Sequence, residues 1–492
     1  MKKNLLFISA LMLIATGCSN NDYSERKEPT KEEGTNFVGG TEVVPKSRTS
    51  LQINGSQVKY FWEPGDKIWT ADAESSSPSI PSSSPTATFK FPKRYSGSTV
   101  DVYYTGSNGY GYNQVNIQSN QVQREPNKTD HLGRSGDCGT ATATRQSDGS
   151  YKFNLDHKAS YLYFLPTTSS NLISTYIQEI KVISDNNIAG SYTLKKTGLT
   201  GSGSSNEITL RTGGSGSYSY GFSLKSATMK PEDNAAYMVI APGTHTLTIE
   251  YTLHDKDAGT TVKMKKKINS MNYAANTVYP INSNFSCPDY SERKHYMWDA
   301  DENYDYWYGH ESAQPTIPSQ NASGYAVSNT DSRWYNEVNA PYSGGVVATR
   351  SCAKCPSNNE MSWYMNRGDV HADTESPWTF KGRLYCQGLW ILKKQYIPGF
   401  TDATALSFYN SANPYVQGRP SDAVINKYFY VPTLGRYYDG YWSWGIGSAG
   451  VYWTKSPKSG NDRADYLLFD MSHWDIGIDG NRKYGCQAIS FE

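Results

Sequence analysis

Two stretches of the chain have side chains whose types and spacing suit metal binding. The acidic run DADENYD, Asp299–Asp305, offers several carboxylates, and calcium prefers hard oxygen ligands. It lacks the glycine and the spacing of an EF-hand loop, which favours a solvated acidic turn. Asp369, His371 and Asp373 alternate and would share one face of a strand, but nearby glycine and proline residues indicate a loop. The sequence therefore predicts no metal and no cofactor, and it gives His371 a structural role.

Cys352 and Cys355 stand at the C-x-x-C spacing that redox and zinc sites share. No second pair of this spacing follows, and no thioredoxin-like alternation of strands and helices surrounds them. In an exported chain a structural role is expected, such as a bridge from this pair to Cys386 or Cys486. The four cysteines allow three pairings, and the sequence does not choose among them.

The aromatic residues of the segment 428–453 suit a carbohydrate ligand. Ten of the 12 tryptophans lie after residue 290, and this segment places aromatic rings among glycines. Sugar faces stack on such rings, and binding pockets combine an apolar floor with a few polar groups. Trp442 and Trp444 are expected to share a strand face, whereas Trp453 is expected in the core. The candidate ligand-binding residues are Trp442, Trp444, Tyr437, Tyr438, Tyr441 and Asp439.

The sequence gives no sign of catalysis or of nucleic-acid binding. It contains no Gly-x-Ser-x-Gly, Walker A or His-Glu-x-x-His pattern. The formal net charge is +1, so no overall positive field attracts nucleic acid. We therefore expect a binding protein and not an enzyme.

The N-terminus has the features of a bacterial lipoprotein signal. Lys2 and Lys3 precede an apolar run from Leu5 to Ile14, and small residues then lead to Cys18. Cleavage before Cys18 would leave a lipidated cysteine that anchors the chain in a membrane. Residues 1–17 are the expected signal peptide, and a plain secretory signal with an incidental cysteine is the alternative. Either way, the mature protein is expected outside the cytoplasm.

The elements that position the candidate residues are predicted to be strands. Apolar runs are short, alternate with polar residues, and are separated by glycine and proline, which is typical of all-β proteins. No helical period is sustained from Leu51 to about Ile281. The predicted fold class is therefore mainly β, with one or two β-sandwiches ahead of the tryptophan-rich head.

Short motifs in the first part of the chain resemble the fimbrillin (Mfa-like) family of type V pilus lipoproteins. They are Arg48-Thr49-Ser50-Leu51, Trp62-x-x-Gly65-Asp66-x-Ile68, Ala87-Thr88-Phe89 and the closing Tyr279-Pro280-Ile281. The resemblance covers residues 37–282. It implies β-sandwich subunits that assemble by strand addition.

The head is similar to a second group, the Fibrobacter-type major paralogous domain, which has a C-type-lectin-like α+β fold. The matching motifs are Trp298-Asp299-Ala300, Tyr306-Trp307-Tyr308-Gly309, Asn359-Glu360-Met361-x-Trp363-Tyr364, Gly368-Asp369-x-His371, Tyr452-Trp453-Thr454-x-Ser456, Leu467-x-Phe469 and Arg482-x-Tyr484-Gly485. Such heads occur on tip proteins of these pili, so the similarity implies a tip subunit.

Together the two resemblances imply a route of assembly. In such pili an arginine-specific protease removes the first strand of a subunit, and the terminal strand of a neighbour fills the groove. The expected cut lies between Arg48 and Thr49, and Phe37–Val44 is the strand that it would release. The C-terminus, Gly485–Phe491, is interpreted as the last strand of the head, so the chain can accept a strand and not donate one.

The expected organisation has five parts. They are a signal peptide at 1–17, a tether with the removable strand at 18–48, β-sandwiches at 49–170 and 171–290, the second with a linker, and the lectin-like head at 291–492. The expected partners are other pilin subunits, a carbohydrate or protein ligand on a host or bacterial surface, and, before maturation, the membrane.

The hypothesis is a pilus tip adhesin located at the cell outer membrane and in the fimbrium. One alternative is a surface glycan-binding lipoprotein that stays anchored in the outer membrane through Cys18. Another is a periplasm-facing structural lipoprotein. The N-terminal residue of the surface-exposed protein would separate the first two, since Thr49 is expected for a pilin and lipidated Cys18 for the anchored protein.

Overall fold

The computed structural model describes residues 34–40, 50–54, 57–72, 75–341, 345–406 and 415–492. The lipoprotein signal, Cys18, and the expected cut between Arg48 and Thr49 lie outside these residues. Strands make up 43% and helices 7% of the structure, so the fold is mainly β, as predicted. Among the described residues, no helix combines the length and apolar character that crossing a membrane requires.

The N-terminal β unit, residues 34–158, contains the first twelve strands and one short helix. They are β1 (Thr35–Gly39), β2 (Ser50–Asn54), β3 (Gln57–Phe61), β4 (Ile68–Thr70), β5 (Ser75–Ser76), β6 (Ala87–Phe91), β7 (Thr99–Tyr104), β8 (Gln114–Ile117), β9 (Asn120–Gln123), α1 (Leu132–Ser135), β10 (Gly139–Arg145), β11 (Tyr151–Phe153) and β12 (Asp156–His157). One sheet runs in the order β5-β4-β7-β10-β11-β1-β6, and β12 pairs with β10. Alternate residues of these strands fill an aromatic core around Trp62, Phe89 and Phe153.

The central β unit, residues 160–285, contains the next ten strands and one short helix. They are β13 (Ser160–Thr168), β14 (Thr175–Ser184), β15 (Gly190–Lys195), β16 (Gly198–Thr200), β17 (Glu207–Thr212), β18 (Phe222–Ser223), α2 (Pro231–Asn234), β19 (Ala236–Ile240), β20 (Gly243–Asp255), β21 (Thr260–Tyr273) and β22 (Val278–Phe285). Strands β13 and β14 lie on the two sides of the expected boundary at 170 and contribute to one core. The domain limits themselves stay a prediction.

The two β units are joined by shared sheets. Strand β8 pairs with β15, and β9 pairs in parallel with β17. Val115 and Ile117 of β8 are buried in the central core. A polypeptide segment of one unit is therefore a structural part of the other.

The head, residues 290–492, contains thirteen short strands and one helix of ten residues. They are β23 (His295–Tyr296), α3 (Asn358–Arg367), β24 (His371–Asp373), β25 (Trp378–Phe380), β26 (Arg383–Tyr385), β27 (Gly388–Leu392), β28 (Val416–Gln417), β29 (Tyr428–Pro432), β30 (Arg436–Tyr438), β31 (Tyr441–Trp444), β32 (Gly450–Pro457), β33 (Arg463–Phe469), β34 (Trp474–Asn481) and β35 (Cys486–Gln487). Its main sheets are β23-β35-β32-β33-β34 and β28-β24-β27-β29. A lectin-like fold for this part stays a prediction.

Helix α3 begins at a capping box. The Ser357 side chain accepts a hydrogen bond from the Glu360 backbone N–H, and the Glu360 carboxylate accepts one from the Ser357 N–H. The box satisfies two backbone donors that a helix start leaves without intrahelical partners. It fixes the point at which the chain enters the helix.

The head is joined to the central unit by the β25–β26 hairpin. Leu384 and Cys386 are buried in the central core. The backbone N–H of Leu384 donates to Asp255 Oδ2 at 3.1 Å, and Arg383 Nη1 lies 2.5 Å from Asp257 Oδ2. The head therefore shares apolar core and charged contacts with the unit below it.

Candidate functional site

Strand β1 lies inside the N-terminal sheet and not at its edge. It pairs antiparallel with β6 and parallel with β11. At its start, Thr35 Oγ1 accepts a hydrogen bond from the Tyr95 backbone N–H at 2.9 Å, and past its end the Gly40 N–H donates to Phe153 O at 3.1 Å. Loss of β1 would leave a slot between β6 and β11, with backbone groups unpaired along both sides.

Phe37 fills the apolar floor of this slot. Its side chain is fully buried. The ring stacks on Tyr151 with centroids 4.9 Å apart and meets the edges of Phe91 and Tyr95 at 5.0 and 5.5 Å. An aromatic side chain of this kind contributes several kcal/mol to a core, of the order of 3–5.

Gly39, two residues further along β1, occupies a place with no room for a side chain. A Cβ at this position would lie 2.7 Å from Cζ2 of Trp62 and 2.8 Å from Cζ of Phe153. The slot therefore accepts a ring at one inward position and only a hydrogen at the next.

The C-terminus is used within the head. In β35, Cys486 pairs with Tyr296 and Gln487 with His295 of β23, and Gln487 also pairs with Tyr452 of β32. Beyond the strand, Phe491 is buried. The last residues of the chain thus hold the head together.

The predicted ligand-binding residues lie on a single hairpin, β30–β31. Its turn is Asp439-Gly440, and both residues have positive φ, 48° and 82°. Two such residues in succession are what a tight hairpin turn of type I′ requires, and Asp-Gly is a favoured pair there. The backbone N–H of Ala322 donates to Gly440 O at 2.8 Å, which holds the turn against the loop beside it.

Two of the predicted residues are core residues. Tyr437 is fully buried and Trp442 is 7% exposed. Their rings lie 3.9 Å apart, and the Trp442 ring also packs on His295. The pairing shifts register between Arg436 and Tyr437, so the regular alternation that placed Trp442 and Trp444 on one exposed face does not hold here. These two rings belong to the head core and not to a surface platform.

The remaining four residues form an exposed aromatic edge. Tyr441 is 43% and Trp444 37% exposed, Asp439 is exposed, and Tyr438 is half-buried. The pKa of Tyr438 is raised, first by the charge of Asp439 and then by burial, so its hydroxyl stays protonated at neutral pH and can donate. The edge offers two rings, a donor and a carboxylate acceptor.

Two further side chains adjoin this edge and were missed from the sequence. The Tyr484 ring meets Tyr438 edge-on at 5.1 Å, and the Arg436 guanidinium lies 3.9 Å from the Tyr484 ring centroid. Arg436 Nε also donates to Ser443 Oγ at 2.7 Å. Arg436 lies within the aromatic segment 428–453, so its place among tyrosines is the sequence feature that could have indicated its role. Tyr484 comes from the chain end, so only the fold brings it here.

The acidic run is more structured than a solvated turn, and this corrects the expectation for Asp299. Its side chain is fully buried. The carboxylate accepts hydrogen bonds from the backbone N–H groups of Thr349 and Arg350, at 2.9 and 2.6 Å, and from Asn336 Nδ2 at 2.8 Å. Asp299 therefore supports the loop that leads into Cys352.

The second group that was weighed for metal binding, Asp369, His371 and Asp373, makes structural hydrogen bonds. His371 Nδ1 lies 3.1 Å from Gly418 O, and the Asp373 carboxylate accepts hydrogen bonds from the backbone of Glu375 and from Trp390 Nε1. The described residues contain no group of three His, Cys, Asp or Glu side chains arranged to hold a metal ion.

All six cysteines of the described residues are free thiols. Cys352, Cys355 and Cys486 lie in one cluster of the head, whereas Cys386 lies in the central core. Burial raises the pKa of the Cys386 thiol to about 11, so it is protonated and unreactive at neutral pH. The predicted bridges to Cys386 or Cys486 stay predictions.

The chain has structural neighbours among solved proteins at low similarity. No family model matches it, and no curated protein matches its sequence. A candidate cell adhesion protein from Bacteroides ovatus is 13% identical, with 52% of this chain and 92% of that one covered and a TM-score of 0.32. The fimbrial anchor protein Mfa2 from Porphyromonas gingivalis is 10% identical over 51% of this chain and 90% of its own, with a TM-score of 0.20.

A fimbrial protein from Bacteroides ovatus is 8% identical and covers 92% of this chain and 97% of its own, with a TM-score of 0.21. Superpositions at TM-scores this low carry no argument about function. The functional argument therefore rests on β1, the chain end and the aromatic edge.

Proposed function

We propose that the protein is a pilus tip adhesin that accepts a strand from a neighbouring subunit and binds a surface glycan through its head. The observation that carries the proposal is the position of β1 between β6 and β11. The chain passes from β1 to β2 through the segment that contains Arg48 and Thr49. A cut there would free β1 from the rest of the chain without breaking any other strand.

The C-terminal strand gives the assembly its direction. Because β35 is paired within the head on both sides, it is not available to a neighbour. A subunit that accepts a strand and keeps β35 paired within its own head suits the end of a fibre. The head then stands at the tip, where an adhesin meets its ligand.

The ligand class follows from the aromatic edge. Tyr441 and Trp444 present ring surface, and Tyr438 and Asp439 present a hydroxyl donor and a carboxylate acceptor. Rings of this type stack on sugar faces while polar groups fix their orientation. A glycan is therefore the proposed ligand.

The test is the substitution Arg48→Ala in cells that assemble pili. A protease that recognises arginine would no longer cut, β1 would stay in its slot, and the protein would remain with the membrane fraction. Arg48→Lys should behave in the same way, whereas Lys46→Ala, a control in the same segment, should leave assembly unchanged. Normal amounts of Arg48→Ala protein in sheared pili would overturn the strand-addition proposal, whereas wild-type protein that is found only in the membrane fraction would favour the permanently anchored glycan-binding lipoprotein.

A further inference from the structure

A buried carboxylate joins helix α3 to the β32–β33 hairpin and has no part in the proposed function. Asp465 on β33 is 3% exposed. Lys458 Nζ lies 3.1 Å from its Oδ1, and Asn358 donates through Nδ2 to its Oδ2. An amine and a carboxamide are thus held at the two oxygens of one carboxyl group.

Backbone hydrogen bonds anchor both residues in the fold. Asn358 is the first residue of α3, directly after the N-cap Ser357, and its backbone N–H donates to Ser456 Oγ at 3.2 Å. Lys458 is held at the hairpin end, where its backbone N–H donates to Arg463 O at 3.0 Å. No described residue donates a hydrogen bond to the buried Oδ1 of Asn358.

We propose that Lys458 and Asn358 form an intramolecular isopeptide bond, with Asp465 as the catalytic residue. The lysine ammonium first transfers a proton to the Asp465 carboxylate and becomes a neutral amine. Its Nζ lone pair then attacks Cγ of Asn358, so an Nζ–Cγ bond forms.

The Cγ–Nδ2 bond breaks in the second half of the step. Asp465 donates its proton to the departing Nδ2 and takes one from Nζ, so ammonia leaves and the carboxyl group ends protonated. The amine and the carboxamide become one secondary amide and one ammonia. No oxidant, reductant or further reactant is needed.

Burial suits Asp465 to accept and donate the proton in this reaction. It raises the pKa of the Asp465 carboxyl, although the Lys458 charge opposes the rise, so the group can hold the proton that the step requires. Because the backbones of both residues are anchored and both side chains contact Asp465, the entropic cost of bringing the two reacting groups together is reduced.

A second lysine–aspartate–asparagine group provides a contrast within the chain. Lys158 Nζ lies 2.5 Å from Asp156 Oδ2, and Asn276 Nδ2 lies 3.5 Å from Oδ1. The Asp156 side chain, however, is 63% exposed. Water solvates this carboxylate and favours its charged form, so no bond is expected there.

Peptide mapping of the full chain tests the proposal. After denaturation and trypsin digestion, an unlinked chain yields Cys355–Arg367 and Ser456–Lys458 as separate peptides. A linked chain yields one branched species that joins Cys355–Arg367 to Ser456–Arg463, because trypsin does not cleave after an acylated lysine. Its mass should be that of the two peptides less one ammonia.

The variants separate this bond from other losses of ammonia. Lys458→Arg and Asp465→Ala should abolish the branched species, whereas Asp156→Ala should retain it. A succinimide at Asn358 also releases ammonia, but it produces no branch and survives Lys458→Arg. Since Lys458 is partly exposed, its replacement by arginine leaves the buried core intact. Recovery of only the unbranched peptides from the folded wild-type chain would overturn the proposal.

Discussion

Phe37 of β1 stacks on Tyr151 of β11, with ring planes 11° apart. The two residues are also partners in the parallel ladder between these strands. The segment ahead of Arg48 therefore supplies both hydrogen bonds and core to the N-terminal unit.

Phe37→Ala should destabilise the N-terminal unit by roughly 3–5 kcal/mol, because it removes a fully buried ring and leaves a cavity. Urea unfolding of the uncut protein, followed by circular dichroism, measures the change. Asn36→Ala, at the exposed position beside it, should alter the free energy of unfolding by no more than about 0.5 kcal/mol. Equal effects of the two substitutions would contradict the buried role of Phe37.

Tyr441→Ala combined with Trp444→Ala should abolish glycan binding and leave the melting temperature nearly unchanged, because both rings are partly exposed. Binding to a glycan array and a thermal melt provide the two readouts. Trp442→Ala is the contrasting variant, since this ring packs on Tyr437 and His295. It should destabilise the head by about 3–5 kcal/mol. A folded double variant that binds normally would place the ligand elsewhere.

Acid should weaken the head through His295. Burial lowers the pKa of this imidazole from 6.5 to about 4, so the folded head keeps it neutral while the unfolded chain protonates it below about pH 6.5. Stability contributed by neutral His295 should therefore be lost as the pH falls from about 6.5 to about 4, up to roughly 3 kcal/mol.

The pH dependence can be followed by tryptophan fluorescence, since ten of the 12 tryptophans lie in the head. His295→Gln should flatten the dependence of the unfolding midpoint between pH 4 and 6.5. The exposed His310 provides the control, and His310→Gln should retain the wild-type slope. An unchanged slope in the His295 variant would contradict this account.

Arg383→Met should loosen the joint between the head and the central unit. It removes a guanidinium that lies 2.5 Å from Asp257 and donates to Ser174 Oγ at 2.7 Å, contacts that are worth roughly 1.5–3 kcal/mol together. Calorimetry should show the head transition moving away from that of the central unit. Lys381→Met, at an exposed position on the same hairpin, should leave the transitions where they are.

The sequence predicted strands better than it predicted their partners. The apolar residues around Phe37 indicate a strand by their local pattern, but β6 and β11 lie far along the chain and no local signal names them. The aromatic segment was placed correctly on a hairpin, and its Asp-Gly turn is a short-range signal. The side of the hairpin on which each ring lies depends on a register shift, and an alternating sequence pattern does not reveal such a shift.

Asp299 shows a second limit of prediction from the sequence. Its run of acidic neighbours indicated a solvated turn, yet its carboxylate is buried against backbone N–H groups near Thr349. Buried backbone N–H groups need hydrogen-bond acceptors, and only the folded loop shows which side chain accepts from them. The C-terminal strand predicted for Gly485–Phe491 is shorter in the structure, where β35 contains only Cys486 and Gln487.

Under the proposed assembly, the places of Phe37 and Gly39 in β1 set a sequence requirement for the strand that replaces β1. That strand must have an aromatic residue at the position of Phe37 and, two residues later, a glycine at the position of Gly39. If that strand were shifted by one residue, its aromatic residue and its glycine would both face the opposite side of the sheet. If it were shifted by two residues, a side chain would clash with Trp62. In the proposed route of assembly, a stalk subunit that directly precedes this head would therefore need an aromatic-x-glycine sequence in its terminal strand.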